Sequence, residues 1–327
     1  PSTQACHVPG GCSSARLFFR IGPSVRNTRC PALGGGGRLP IGSGGIDAPG
    51  FNLTGFDDII TTGTLFANNL GATNQLSAGG AILGTSGTYS INAFSIAAGN
   101  GLNYSGSSNA AGATLTLQAP SLLFDSTPGG VNGVNVDGGD GSLLGLVGGD
   151  GGTLNLGTTA APLAADVTIN KTISATPGAT PTFLLTGGNG GTVNVTSNAT
   201  VAVSSTIKVS ESSGASRSSR GGNINLTSKR TTGSAINVSS SAQLLTLLSN
   251  AAPGPGGSIK IISAGGDINM SGTAKADRGP VEITNNGGSG VATLTNATLP
   301  GDIVTPGAPG TDSTWNGGGG PLNGDAA

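Results

Sequence analysis

From Phe51 to Leu299 the chain alternates apolar and polar positions with a period of two, in short runs broken by Gly, Asn, Ser and Pro. "GGTLNL" sets Leu154 and Leu156 on one face and Asn155 on the other. "GGTVNV" does the same with Val193, Val195 and Asn194, and "GGNINL" with Ile224, Leu226 and Asn225. "GGSIKI" places Ile259 and Ile261 around Lys260; "GGDINM" places Ile268 and Met270 around Asn269; "RGPVEI" places Val281 and Ile283 around Glu282. Successive side chains of a strand point to opposite faces, so an apolar pair flanking one polar residue marks a strand with one dry and one wet face. Second strands are expected in "DVTIN" from Asp166, "ATVAVSSTIKVS" from Ala199 and "SAINVSS" from Ser234. Helical periodicity is nearly absent; "AQLLTLLSN" from Ala242 is the one stretch that admits a helical turn.

The strands also repeat. "GGDGGTLNL" from Gly148 and "GGNGGTVNV" from Gly187 differ in three of nine letters. Strands led by paired small residues begin near 152, 191, 222, 257, 266 and 279, an uneven spacing that suits turns of about 20 residues or more with longer excursions. A β-sandwich needs a wide core of large side chains, whereas the inward positions here are Val, Ile, Leu and Ala, which suit a narrow interior. The pattern therefore predicts an all-β chain folded as a parallel β-helix (β-solenoid) with irregular Gly-rich turns. About ten turns at ~4.8 Å each make a rod on the order of 50 Å long. Each Gly-Gly pair is expected to supply a tight corner at positive φ.

Composition narrows the function classes. Charged residues are 9% of the chain and aromatics 3%, and the 14 Lys and Arg balance 15 Asp and Glu. No electrostatic footprint for nucleic acid or anionic lipid is present. Gly (61) and Pro (18) are abundant enough to raise disorder as a competitor, which the sustained alternation opposes. The longest aliphatic cluster, "QLLTLL" from Gln243, is far short of the ~18 apolar residues of a membrane-spanning helix.

Four segments are expected. Residues 1–45 form an atypical head, leader or cap that carries Cys6, His7, Cys12, Cys30 and the arginines 16, 20, 26, 29 and 38, and "LGGGGRLPIGSGG" from Leu33 reads as its junction. Residues 46–110 supply capping or early strands, 111–300 the solenoid, and 301–327 a flexible Gly/Pro-rich tail in which Trp315 could cover the last turn.

Candidate chemistry is sparse. The calcium-binding nonapeptide G-G-x-G-x-D-x-U-x matches at Gly148, Gly149 and Gly151, but its aspartate position holds Thr153, Thr192 in the second copy and Leu143 in "GGDGSL". Asp137, Asp140 and Asp150 are singly placed, and hard cations need several converging oxygens. Carbohydrate-cleaving β-helices need paired carboxylates, or a base with metal and a basic residue; Asp57–Asp58 is the one adjacent acid pair. Arg217, Arg220, Lys229 and Arg230 form the densest basic cluster, near Glu211 alone, and read as a solvated loop. The cysteines lack the CxxC spacing of zinc sites. Nine N-x-S/T sequons fall at Asn52, Asn103, Asn170, Asn194, Asn198, Asn225, Asn237, Asn269 and Asn296. Several follow from an Asn and a Thr sharing one wet face. Outward threonines at 114–116 and 293–295 are two isolated pairs, too few for an ice-binding array. No catalytic, cofactor-binding or metal-ligating residue is assigned, and no cofactor is expected.

The recurring "GGNINLTS … SAINVSS … GGSIKIIS … GGDINMSGTAKADRGPVEI" resembles the repeat region of filamentous-haemagglutinin-like adhesins and other bacterial β-strand-repeat surface proteins, over roughly residues 110–300. The resemblance implies a right-handed β-helix, secreted or on the cell surface, used for adhesion or matrix building. Neither that family's N-terminal secretion domain nor a C-terminal β-barrel translocator is recognisable. The expectation is a non-enzymatic extracellular structural or adhesive rod whose partner is a cell-surface or glycan receptor. A self-assembling filament subunit, joining end to end with its own copies, is the alternative, and a carbohydrate-active enzyme a third reading. No nucleic-acid partner and no membrane insertion are expected.

Overall fold

A computed structural model describes residues 32–33, 38–41, 45–48, 52–120, 122–124, 133–141, 148–179, 186–210, 217–218, 220–247, 256–276, 279–287, 290–295, 303–304, 313–316 and 322–323. Every regular element among them is a β-strand, and every strand pairing is parallel. Three stacked sheets wind round one another, which makes the molecule a parallel β-helix. Sheet A has 14 strands, sheet B nine and sheet C seven, and the main path through sheet A crosses twelve strands in sequence order.

One rung of the central region runs through the sheets in the order A, C, B. Thr153–Leu156 lies in sheet A, Val167–Ile169 in sheet C and Ile173–Ser174 in sheet B; the chain then returns to sheet A at Thr192–Ser197. The register is in phase with the apolar pattern. Leu115, Leu154, Val193, Ile224, Ile259 and Val281 form one inward column, and Leu117, Leu156, Val195, Leu226, Ile261 and Ile283 the next. All are buried. A one-residue slip would turn each column into solvent, so burial of one face fixes the register. Sheet C contributes Val167, Val201, Ile236, Ile268 and Ala292 to the same core, and sheet B contributes Ile173, Ile207, Leu244 and Ala274.

The first rungs are shorter and two-sided. Asn52–Thr61 and Leu70–Ala78 are long strands of sheet A that carry register shifts, and each is followed directly by a sheet B strand, Leu65–Ala67 or Ile82–Leu83. Leu70–Ala78 then splits its pairing, with Thr88–Asn92 on its first half and Ser95–Ala98 on its second. Sheet C begins at Leu122–Phe124, once the rungs have lengthened. Among the described residues, the buried aromatics Phe56, Tyr89, Tyr104 and Phe124 lie in these early rungs, and the buried hydrophobic side chains beyond them are aliphatic or Met270.

Three expectations change. The stretch from Ala242 is not helical: Gln243–Thr246 is a sheet B strand with Leu244 inward, because a neighbouring strand on either side satisfies its backbone. "GGDINM" is not a sheet A rung like its look-alikes but a sheet C strand, Asp267–Met270, stacked on Ser234–Val238. The third concerns the Gly-Gly corners. The Gly265–Gly266 pair has positive φ at Gly265, as expected, but the Gly148–Gly149, Gly151–Gly152 and Gly190–Gly191 pairs do not. Those glycines are needed for proximity instead. A Cβ on Gly191 would overlap the carbonyl oxygen of Gly152, its counterpart one rung earlier, and one on Gly149 would overlap that of Ala110.

At the chain ends, Ala32–Leu33 and Arg38–Ile41 pair with Asn52–Thr61. Ile303–Val304, Ser313–Asn316 and Leu322–Asn323 continue sheets A and C, with Trp315 in register with Leu294. Cys6, His7, Cys12 and Cys30 lie outside the described residues. No helix among the described residues is long and apolar enough to cross a membrane.

Candidate functional site

The side chains with chemistry to offer sit on the outer surface, and most bind a neighbouring rung. On sheet A, Asn194 Nδ2 donates to Asn155 Oδ1 and Asn225 Nδ2 donates to Asn194 Oδ1, each at 2.8 Å, while Asn155 Nδ2 reaches Thr116 Oγ1 at 3.3 Å. The column continues through Lys260 to Glu282, whose Nζ and Oε2 are 3.0 Å apart. Sheet C has a shorter version in which Asn269 Nδ2 donates to Asn237 Oδ1 at 3.0 Å. Four sequon asparagines, Asn194, Asn225, Asn237 and Asn269, are thus members of amide ladders. Asn52 accepts from Asn69. Asn103 is exposed, and its Oδ1 accepts from the Ser105 hydroxyl of its own sequon at 2.7 Å. Asn170 Oδ1 is buried without a partner, Asn198 is exposed, and Asn296 lies outside the described residues.

The aspartates that raised the thought of calcium cap backbone instead. Asp137 Oδ1 accepts the Ser174 hydroxyl at 2.6 Å, the Thr176 hydroxyl at 2.9 Å and the Thr176 amide at 2.5 Å. Asp140 Oδ1 accepts the amide of Ala179 at 2.9 Å, and Asp150 Oδ1 that of Asn189 at 2.6 Å, both 39 residues further on. Asp166 and Asp267 do the same for Thr200 and Val291. Each carboxylate therefore satisfies an amide of a later rung; at Thr176 and Val291, where the bonds are part-buried, an unpaired N–H would be costly. Among the described residues no three His, Cys, Asp or Glu converge as a metal site does.

The basic cluster is divided. Arg217 and Arg220 precede the strand Asn223–Ser228, and Lys229 and Arg230 follow it, so a six-residue strand separates the two pairs. Lys229 Nζ donates to the Thr159 carbonyl at 2.9 Å; Arg230 donates through Nε to the Thr232 carbonyl and through Nη1 to Thr200 Oγ1. These cations stitch loops at the A-to-C corner. Buried serines mark the same corner: Ser197, Ser228 and Ser263 stack in register and end in Asn285, and each hydroxyl donates to a corner carbonyl, as with Ser228 to Ala199 at 2.7 Å. The Thr114 pair is not isolated, since Thr88, Thr114, Thr153 and Thr192 share one column.

Two surface grooves are lined by described residues. One, of about 400 Å³, lies where Leu70–Ala78 splits; Phe94, 65% exposed, overhangs a floor that includes Gly55, Gly71 and Ala72, with Thr73 and Asn92 beside it. The other, of about 440 Å³, lies where three successive loops leave sheet B, and holds Asp137, Asp140, Thr176 and Lys208. The structure thus gathers two carboxylates of one loop, Asp137 and Asp140, with an ammonium from a later rung, Lys208. The signal available in the sequence was the regular spacing between Asp137 and Thr176, both at the same point of their rungs. No protein-family model, curated protein or solved structure matches this chain.

Among the described residues, Tyr104 is the one buried titratable group with a clear departure. Its hydroxyl has no partner, its ring packs edge-on against Tyr89 with centroids 4.9 Å apart, and burial, followed by the neighbouring Tyr89, pushes its ionisation well above the usual phenol range. It lies inside the core and has no access to substrate.

Proposed function

We propose that the protein is a non-enzymatic structural rod, secreted or displayed on a cell surface, whose lateral surface adheres to a cell-surface or glycan receptor. The observation that carries this reading is the direction of the polar chemistry: surface amides, carboxylates and cations are bonded from rung to rung. Such bonding stiffens a long particle. It leaves few groups poised for catalysis, since Asp137 Oδ1 already accepts three hydrogen bonds and a general acid must present a proton. A weakly charged, hydroxyl- and amide-rich surface suits recognition of neutral polar ligands.

End-to-end assembly into a filament is a second reading, favoured by the parallel stacking itself. Sheet B ends on Thr273–Ala276 and begins on Ile46–Ala48 among the described residues, and an end rung is a template for another strand. Negative-stain microscopy over a concentration series, with mass measured in parallel, separates the two. Discrete rods at monomer mass that attach to cells support the adhesive rod; regular filaments support the assembling subunit; compact particles that do neither sink both.

A further inference from the structure

We propose that the groove at Lys208 binds a neutral saccharide of one or two units, an inference that deepens the adhesive reading and rests on it. Its walls come from three consecutive loops, which hydrogen-bond to one another: Gly106 N to the Asp137 carbonyl at 2.8 Å, Asn109 N to the Asp140 carbonyl at 3.0 Å, and Gly138 N to the Thr176 carbonyl at 2.8 Å. The site is therefore set in a backbone lattice and needs little ordering when a ligand arrives.

Lys208 reaches this groove by ordinary alternation: in Thr206–Ser210 it faces outward between the buried Ile207 and Val209. It stands in register on Ser174, the residue whose hydroxyl anchors Asp137. The register shift against Gln243–Thr246 falls after it, at Val209.

The lining selects the chemistry of the occupant. Carboxylates only accept hydrogen bonds and an ammonium only donates. A ligand that satisfies both must offer donors and acceptors close together, and sugar hydroxyls do both at once. A divalent cation is opposed by the ammonium. A uronate or other anion meets two carboxylates against one lysine. The volume of about 440 Å³ lies within the range of small-molecule sites and matches one or two sugar rings rather than an extended chain.

The test is a calorimetric titration of the intact protein with disaccharides of glucose, galactose, mannose and N-acetylglucosamine, with digalacturonate and calcium chloride as opposing probes. The expected result is binding of at least one neutral disaccharide, weakened about tenfold or more by Lys208→Met and by Asp140→Asn, the loss that removing a charge-assisted hydrogen bond produces. Both variants should melt within a few degrees of wild type, and Phe94→Ala, at the other groove, should bind as wild type does. Failure of every neutral disaccharide to bind, indifference of binding to both variants, or tighter binding of calcium or digalacturonate would each overturn the proposal. A cell-attachment assay keeps the two readings apart. Attachment that survives both substitutions removes this site and leaves the adhesive rod standing; wild-type protein that attaches to nothing removes the adhesive rod, while the titration still decides the groove.

Discussion

Asn194 donates its amide to Asn155 at 2.8 Å across 39 residues of chain, and accepts in turn from Asn225 at the same distance. The same residue type at the same point of successive rungs lets an amide pair above and below, as in stacked amide ladders generally. Replacing Asn194 by Leu removes both links and leaves its neighbours with unpaired amide groups on a half-buried surface. Each bond contributes about 0.5–1.5 kcal/mol net, so a loss of about 1–3 kcal/mol is expected in urea denaturation. Asn198→Leu, outside the ladder, should change stability by less than about 0.5 kcal/mol; equal effects of the two would show that the ladder contributes nothing.

Asp137 holds the next rung at Thr176 through backbone and hydroxyl. Asp137→Ala leaves that amide without its acceptor and should destabilise the protein by roughly 3 kcal/mol, with Asp137→Asn intermediate. Because the aspartates of this region serve backbone amides, adding a chelator should leave the melting temperature unchanged. A drop on chelation would instead reveal a bound cation.

Two kinds of glycine should respond for different reasons and to different degrees. Gly191→Ala drives a methyl group into the Gly152 carbonyl, where relief requires the rungs to part, and should cost about 3 kcal/mol or more. Gly233 has a φ of 63°, and an added Cβ would meet the Arg230 guanidinium at an ordinary 3.6 Å. Gly233→Ala should cost about 1–2 kcal/mol from the left-handed conformation alone, and Gly233→Asn less, because Asn tolerates that region. Chemical denaturation of the three variants checks the order; Gly191→Ala behaving like Gly233→Asn would refute the proximity argument.

Tyr104 sets an alkaline limit. Its ionisation is raised above the ordinary phenol value of 10.0 by burial first and Tyr89 second. The unfolded chain therefore loses this proton before the folded one does. Its contribution is fully present below pH about 10 and declines as pH rises above that value. Stability should fall through this window, and Tyr104→Phe should flatten the fall while removing a buried unpartnered hydroxyl. An identical alkaline decline in wild type and Tyr104→Phe would rule the residue out as its source.

The Lys260–Glu282 pair extends the sheet A column, yet its side chains are 42% and 29% exposed. Exposed pairs of this kind contribute about 0–1 kcal/mol. A double-mutant cycle with Lys260→Met and Glu282→Gln should return a coupling inside that range and smaller at high salt; a coupling well above it would mark the pair as a structural clamp.

Much of the architecture is legible in the sequence. In "TLNL", "TVNV" and "NINL" the alternation of one apolar pair around one asparagine is a local property, because side chains along a strand take opposite faces whatever the strand pairs with. The all-β class, the inward columns and the outward asparagines follow directly. What could not be read were relations across rungs. "GGDINM" and "GGNINL" are nearly the same sentence, yet one lies in sheet C and the other in sheet A, because sheet membership depends on where the preceding corner falls. The Gly-Gly pairs looked like positive-φ corners, and it took the stacked backbone to show that Gly191 is glycine because Gly152 lies against it. Asp137, Thr176 and Lys208 are unrelated letters in the chain. Rungs of unequal length bring them to one groove, since residues that stack are set by the hydrogen-bonded register between strands and not by their separation in sequence.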